Sequence, residues 1–119
     1  MSRPDSPPVL ALVRDLMFAG RITATARAAG ANVKMIRDPA ALMNESAARL
    51  IVDLNQDGAL DAAAAWKERA GGAAEVIGFV AHTDAAIIAR ARELGIDRVM
   101  PRGQFVQVLP ELLSATTQA

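Results

Sequence analysis

The chain has no cysteine, one histidine and one tryptophan, and aromatic residues fill only 3% of its 119 positions. Without cysteine there is no disulfide framework, no thiolate zinc site and no thiol nucleophile, and a single histidine cannot build a multi-histidine metal centre. Neither sign of charge is in excess: 13 Lys and Arg stand against 13 Asp and Glu, a formal net charge of zero. The basic surplus that marks a nucleic-acid-binding surface is missing, so no nucleic-acid partner is expected. No apolar run approaches the roughly 20 residues of a membrane helix. The opening Met-Ser-Arg-Pro-Asp-Ser-Pro-Pro also lacks the apolar stretch of a signal peptide. These absences predict a soluble cytoplasmic protein with no membrane partner.

What is present is aliphatic and rich in alanine, with 52% hydrophobic residues. The length suits one domain. Residues 1–8, with three prolines and two serines, read as a mobile arm; residues 9–114 read as the domain and 115–119 as a polar tail. The initial methionine and that tail lead to the expectation of a complete chain. Within the domain, short runs rich in Val, Ile and Leu alternate with alanine-rich stretches, as in a parallel sheet covered by helices. The runs are Val9 to Val13, Val33 to Ile36, Leu50 to Val52, Val76 to Val80, and Val99 with Met100. None alternates apolar with polar at its centre, as expected of strands covered on both faces.

Helix boundaries are marked by caps. Gly30 and Gly95 suit the left-handed residue that ends a helix, and Thr83 or Asp84 can begin the helix carrying Ile87, Ile88, Ala91 and Leu94. Asp38-Pro39 opens a short helix. Ala59 to Ala70 is helical by propensity, with Leu60, Ala63, Ala64 and Lys67 on one face. The final segment, Phe105 to Leu113, has helical spacing, and Pro110 is expected to kink or interrupt it. The pattern predicts a single α/β domain of doubly wound, flavodoxin-like (βα)5 type, a three-layer sandwich around a five-stranded parallel sheet.

In such sheets reactive groups collect at the carboxyl ends of the strands. Here those ends carry Arg14-Asp15, Arg37-Asp38, Asp53-Leu54-Asn55, Ala81-His82-Thr83 and Arg102-Gly103. Asp53 follows Leu50-Ile51-Val52, at the end of the expected central strand. With Asp15 and a backbone carbonyl near Asn55 it would offer the oxygen ligands that a hard cation such as magnesium prefers. A carboxylate beside such a cation can accept a phosphoryl group; the alternative is that these aspartates only cap helices. His82 reads as a loop residue ahead of a helix cap, or as a pH-sensing or anion-contacting group. Trp66 reads either as an exposed contact residue or as a packing residue. Phe18-Ala19-Gly20-Arg21 lacks the glycine spacing of a dinucleotide site.

Leu12-Val13-Arg14-Asp15, Leu50-Ile51-Val52-Asp53, Val76-Ile77-Gly78-Phe79-Val80-Ala81 and Gly95-Ile96-Asp97-Arg98-Val99-Met100-Pro101-Arg102, in that order and spacing, resemble the CheY-like receiver domain of response regulators. The resemblance implies a two-component (phosphorelay) signalling module with no turnover of its own, in which Asp53 holds the phosphoacceptor position and Asp15 and Asp53 the magnesium position. It also exposes departures. The family's paired acidic residues become Arg14 then Asp15, its switch hydroxyl becomes Val80, and its phosphate-contacting lysine becomes Arg102. Gly103 stands where the family has proline, and Gln104 is one residue extra before Phe105.

A guanidinium from Arg14 beside Asp53 would take the cation's place and charge. These departures predict an atypical or pseudo-receiver, with magnesium-dependent phosphorylation weak or lost. It would act on a kinase or effector protein, or on a second copy. The family's contact face, formed by its fourth helix, fifth strand and fifth helix, would carry Arg90, Arg92, Glu93, Arg98 and Gln107 here. The alternative is a small-ligand domain resembling cobalamin-binding modules; against it stands the absence of an Asp-x-His-x-x-Gly motif.

Overall fold

The computed structural model describes residues 9–81 and 84–114. The expected arm (1–8), the tail (115–119), and His82 with Thr83 lie outside the described residues. Five strands, β1 (Val9–Leu12), β2 (Val33–Ile36), β3 (Arg49–Asp53), β4 (Glu75–Val80) and β5 (Arg98–Pro101), form one sheet in the order β2-β1-β3-β4-β5. All four pairings are parallel. Helices α1 (Leu16–Ala29), α2 (Ala59–Ala70), α3 (Ala85–Glu93) and α4 (Arg102–Ser114) cover its faces. This is the flavodoxin-like arrangement that the alternation of runs predicts.

The period of two within each strand divides the core. Leu10, Leu12, Leu50, Val52, Val76 and Val80 join a cluster with Ala59, Ala63 and Trp66 of α2. Val9, Ala11, Ile51, Ile77 and Phe79 join the cluster with Phe18 and Ile22 of α1 and Phe105 and Leu109 of α4. The chain leaves β1 for β2 on one side and reaches β3 on the other, so the strand order reverses between β1 and β3. A crevice opens there at the carboxyl ends of the strands, and both Asp15 and Asp53 lie at it.

Helix ends follow local chemistry. Asp84 caps α3 with its carboxylate on the Ala86 and Ile87 amides, and Gly30 and Gly95 take left-handed backbone, at φ 70° and 87°. Two expectations change. The connection opened by Asp38-Pro39 is a 3-10 helix, Pro39–Asn44, leaving four α-helices among the described residues where the (βα)5 pattern suggested five helices. The interruption expected at Pro110 is absent, and helical backbone continues through it. Proline forfeits one backbone hydrogen bond, whereas the same helix buries Phe105, Leu109, Leu112 and Leu113, and that burial outweighs the loss.

The short second connection explains Trp66. Its side chain is 1% exposed, and its indole N–H donates to the Glu45 carbonyl at 3.0 Å. Arg69 donates to the same oxygen at 2.8 Å. The indole thus fills the space beneath a connection with little helix of its own, and the contact-residue reading of Trp66 is set aside. Trp66→Ala is expected to cost about 3–5 kcal/mol of unfolding free energy, measured by urea denaturation; a loss below about 1 kcal/mol would show that the indole is not part of the core.

Candidate functional site

Asp53 ends β3 and is the one buried charged residue among the described residues, at 5% exposure. Strand alternation aims it to the side of α1 and α4, because Ile51 packs there. The segment after it is held by backbone and packing. The Leu54 amide donates to the Phe79 carbonyl at 2.9 Å, and the Asn55 amide donates to Asp53 Oδ1 at 3.0 Å. The Asn55 side-chain oxygen accepts from the Ala81 amide on the neighbouring strand end.

Leu54 lies on the bare backbone of Gly78. A Cβ at Gly78 would meet Leu54 Cδ1 at 2.6 Å and Cγ at 2.8 Å, inside any ordinary contact distance. A strand interior otherwise disfavours glycine, so its place in β4 is accounted for by this close approach.

Asp15 stands at the lip of the same crevice, where its Oδ1 caps α1 by accepting from the Met17 amide at 2.9 Å and the Phe18 amide at 3.3 Å. Gln56 ties three loops together. Its Oε1 accepts from the Arg14 amide at 3.1 Å, its Nε2 donates to the Arg37 carbonyl at 2.7 Å, and its own amide donates to the Asp53 carbonyl at 3.2 Å. Arg14, Asp15, Asp53, Asn55, Gln56 and Asp57 line the open cleft that results.

The cation facing Asp53 is Arg102, with Nη2 to Oδ2 at 4.0 Å. The placement of an Arg14 guanidinium beside Asp53 is corrected: Arg14 is exposed at the rim, and among the described residues its side chain has no ion pair. The physical reason lies in the backbone. Arg14 follows β1, and its amide is fixed on Gln56, whereas Arg102 opens α4 directly after β5 and reaches across the end of β4. Val80 is fully buried in the apolar cluster with Leu54 and Ala91 and presents no polar atom to the cleft.

The expected contact residues lie on α3, β5 and α4. Arg90 pairs with Asp61 of α2 at 3.2 Å, Arg98 approaches Glu75 at 4.0 Å, and Gln107 is exposed on α4. Sequence reasoning missed Gln56, Gly78 and the aromatic surroundings of Arg102. The only available signal was that Phe18 and Phe105 each stand three residues after a charged strand-end residue.

Burial raises the Asp53 carboxyl above its ordinary range; the Asn55 amide and Arg102 pull it down, and Asp15 pushes it up. A carboxylate raised by folding costs stability at pH above its folded pKa, and the cost is relieved as pH falls through that value. Asp53→Asn keeps an acceptor for the Asn55 amide while removing the charge. It is therefore expected to raise the melting temperature by a few degrees at pH 7, with the gain shrinking on acidification; an equal or lower value at neutral pH would contradict this account.

Gly78→Ala is expected to cost about 1–3 kcal/mol and to shift the amide resonances of Leu54 and Asn55. Leu54→Ala in the same chain should restore part of those shifts. Unchanged resonances in Gly78→Ala would show that Leu54 yields freely.

Three carboxylates line the cleft, those of Asp15, Asp53 and Asp57, and Asp15 has one oxygen committed to two amides. Among the described residues no three of His, Cys, Asp and Glu are grouped so as to hold a metal ion. A guanidinium already stands at the buried carboxylate, so a divalent cation entering there would meet a like charge.

No protein-family model and no curated protein sequence matches the chain. Solved structures do. The BeF3-activated receiver domain of DrrB superposes with a TM-score of 0.77 at 13% identity, covering 96% of this chain and 99% of that one. The phosphorylated cyanobacterial phytochrome response regulator RcpA superposes at 0.75 with 12% identity over 96% and 97% of the two chains. An orphan response regulator of H. pylori superposes at 0.75 with 16% identity over 98% and 100%. The chain therefore has the fold of response-regulator receiver domains.

Proposed function

We propose that this chain is an atypical receiver-like signalling module of two-component type. It has no turnover of its own and works in the cytoplasm through protein contacts, with a kinase, a downstream effector or a second copy. Asp53 occupies the phosphoacceptor position, and magnesium-dependent phosphorylation there is weak or lost. The observation that carries the reading is a buried strand-end carboxylate in a receiver fold that faces Arg102, with Asp15 beside it and Arg14 where a second acid would stand.

Three physical arguments support it. Transfer of a phosphoryl group to a carboxylate needs positive charge on the transferring oxygens, ordinarily from a cation. Here the Arg102 guanidinium already faces the buried carboxylate where that cation would sit. A hydroxyl at the end of β4 would hydrogen-bond a phosphoryl oxygen, and the Val80 methyl groups offer none. Arg102 can still contact an anion, with a planar fork in place of a point charge. With α3, β5 and α4 as the contact face, Arg98 and Gln107 lie on the exposed surface such a partner would meet.

The test is backbone NMR during titration with magnesium and beryllofluoride, an acyl-phosphate mimic, with Asp53→Asn as control. Little or no saturable change is expected. Saturable shifts at Asp15, Asp53 and Arg102 that vanish in the control would overturn the weak-phosphorylation reading.

A further inference from the structure

The three phenylalanines of the chain form one stack. Phe105 and Phe79 lie with ring centroids 4.3 Å apart, Phe79 and Phe18 5.3 Å apart, and the Arg102 guanidinium carbon sits 4.4 Å from the Phe18 centroid. The same guanidinium faces Asp53 at 4.0 Å. We propose that Phe18 is a positioning residue that seats Arg102 against Asp53, making the guanidinium the resident cation of the site and setting its selectivity against divalent metal ions. This rests on the reading of Asp53 as the site's central carboxylate.

Local preferences argue against Arg102 where it stands. It is the first residue of α4, the end at which the helix dipole is positive and a cation is disfavoured. Its first turn holds no acidic residue to offset that charge. Its Nε is buried without a hydrogen-bond partner among the described residues, which carries a further cost. Two contacts compensate, the Asp53 carboxylate and the face of Phe18. A guanidinium on an aromatic face is favourable, and more so where water is excluded; Phe18 is only 9% exposed. Its ring is itself fixed by Phe79, the β4 partner of Asp53 in the sheet register. The cation is thus held by packing, and a divalent ion entering the cleft meets a like charge that cannot swing away freely.

Two measurements test the proposal, both with fold checked by urea denaturation. In the first, the side-chain protons of Arg102 are recorded by NMR. A ring-current upfield shift is expected in the parent chain, retained in Phe18→Tyr and lost in Phe18→Leu. Its absence from the parent, or its survival in Phe18→Leu, overturns the seat.

The second follows magnesium alone by backbone shifts at Asp15 and Asp53. Arg102→Gln is expected to tighten the response by roughly tenfold or more, since a like charge at this range is removed. Phe18→Leu should give a smaller gain in the same direction. Equal, absent responses in all three chains overturn the role as resident cation. Saturable binding by the parent overturns both that role and the weak-phosphorylation reading, and the ring-current result then judges the Phe18 seat independently.

Discussion

A carboxylate buried at the end of the central strand is the constraint around which this molecule is arranged. Asp53 is 5% exposed, and an ionised group so placed must find compensation within the protein. Compensation comes from the Asn55 amide, from Arg102, and from the backbone that holds both in place. Gly78 leaves room for Leu54, Leu54 holds the loop carrying Asn55, and the β4–β5 pairing Val80↔Pro101 brings Arg102 to the same end of the sheet. The crevice exists because the strand order reverses between β1 and β3. The charge within it is balanced by a residue at the start of a helix that disfavours cations.

The arrangement separates two properties that receiver folds ordinarily join. On the function proposed above, a bound divalent cation would make the buried acid reactive toward a phosphoryl donor. Here the acid is present, while the resident positive charge is a guanidinium seated on Phe18. A guanidinium can neutralise and orient an anion by hydrogen bonds. It has no open coordination positions through which to draw a phosphoryl oxygen and the attacking carboxylate onto one centre.

Much of the fold was legible because burial writes itself into local pattern. Runs such as Leu10-Ala11-Leu12 and Leu50-Ile51-Val52 are apolar on both faces, as a parallel strand covered on both sides requires, and Gly30, Asp84 and Gly95 punctuate helices by backbone chemistry that acts within a few residues. Where local rules misled, tertiary packing had overridden them. Pro110 sits in a continuous helix because its neighbours are buried, and Trp66 sits in the core because a 3-10 turn leaves space above it.

The site divides along the same line. Asp15, Asp53 and Arg102 could be named from the chain alone, because each stands at or just past the end of an apolar strand run and strand ends converge in a parallel sheet. Which arginine would face Asp53 could not be read in advance, since Arg14 and Arg102 are equivalent in linear order, each the first charge after a strand. The choice was made by contacts between residues far apart in the chain: Gln56 fixing the Arg14 backbone, and Phe18, Phe79 and Phe105 stacking from α1, β4 and α4 into a seat for Arg102. Such contacts leave no periodicity in sequence. They come from the relative placement of packed elements, which is why the residues of the crevice were evident early and its charge arrangement only once the chain was folded.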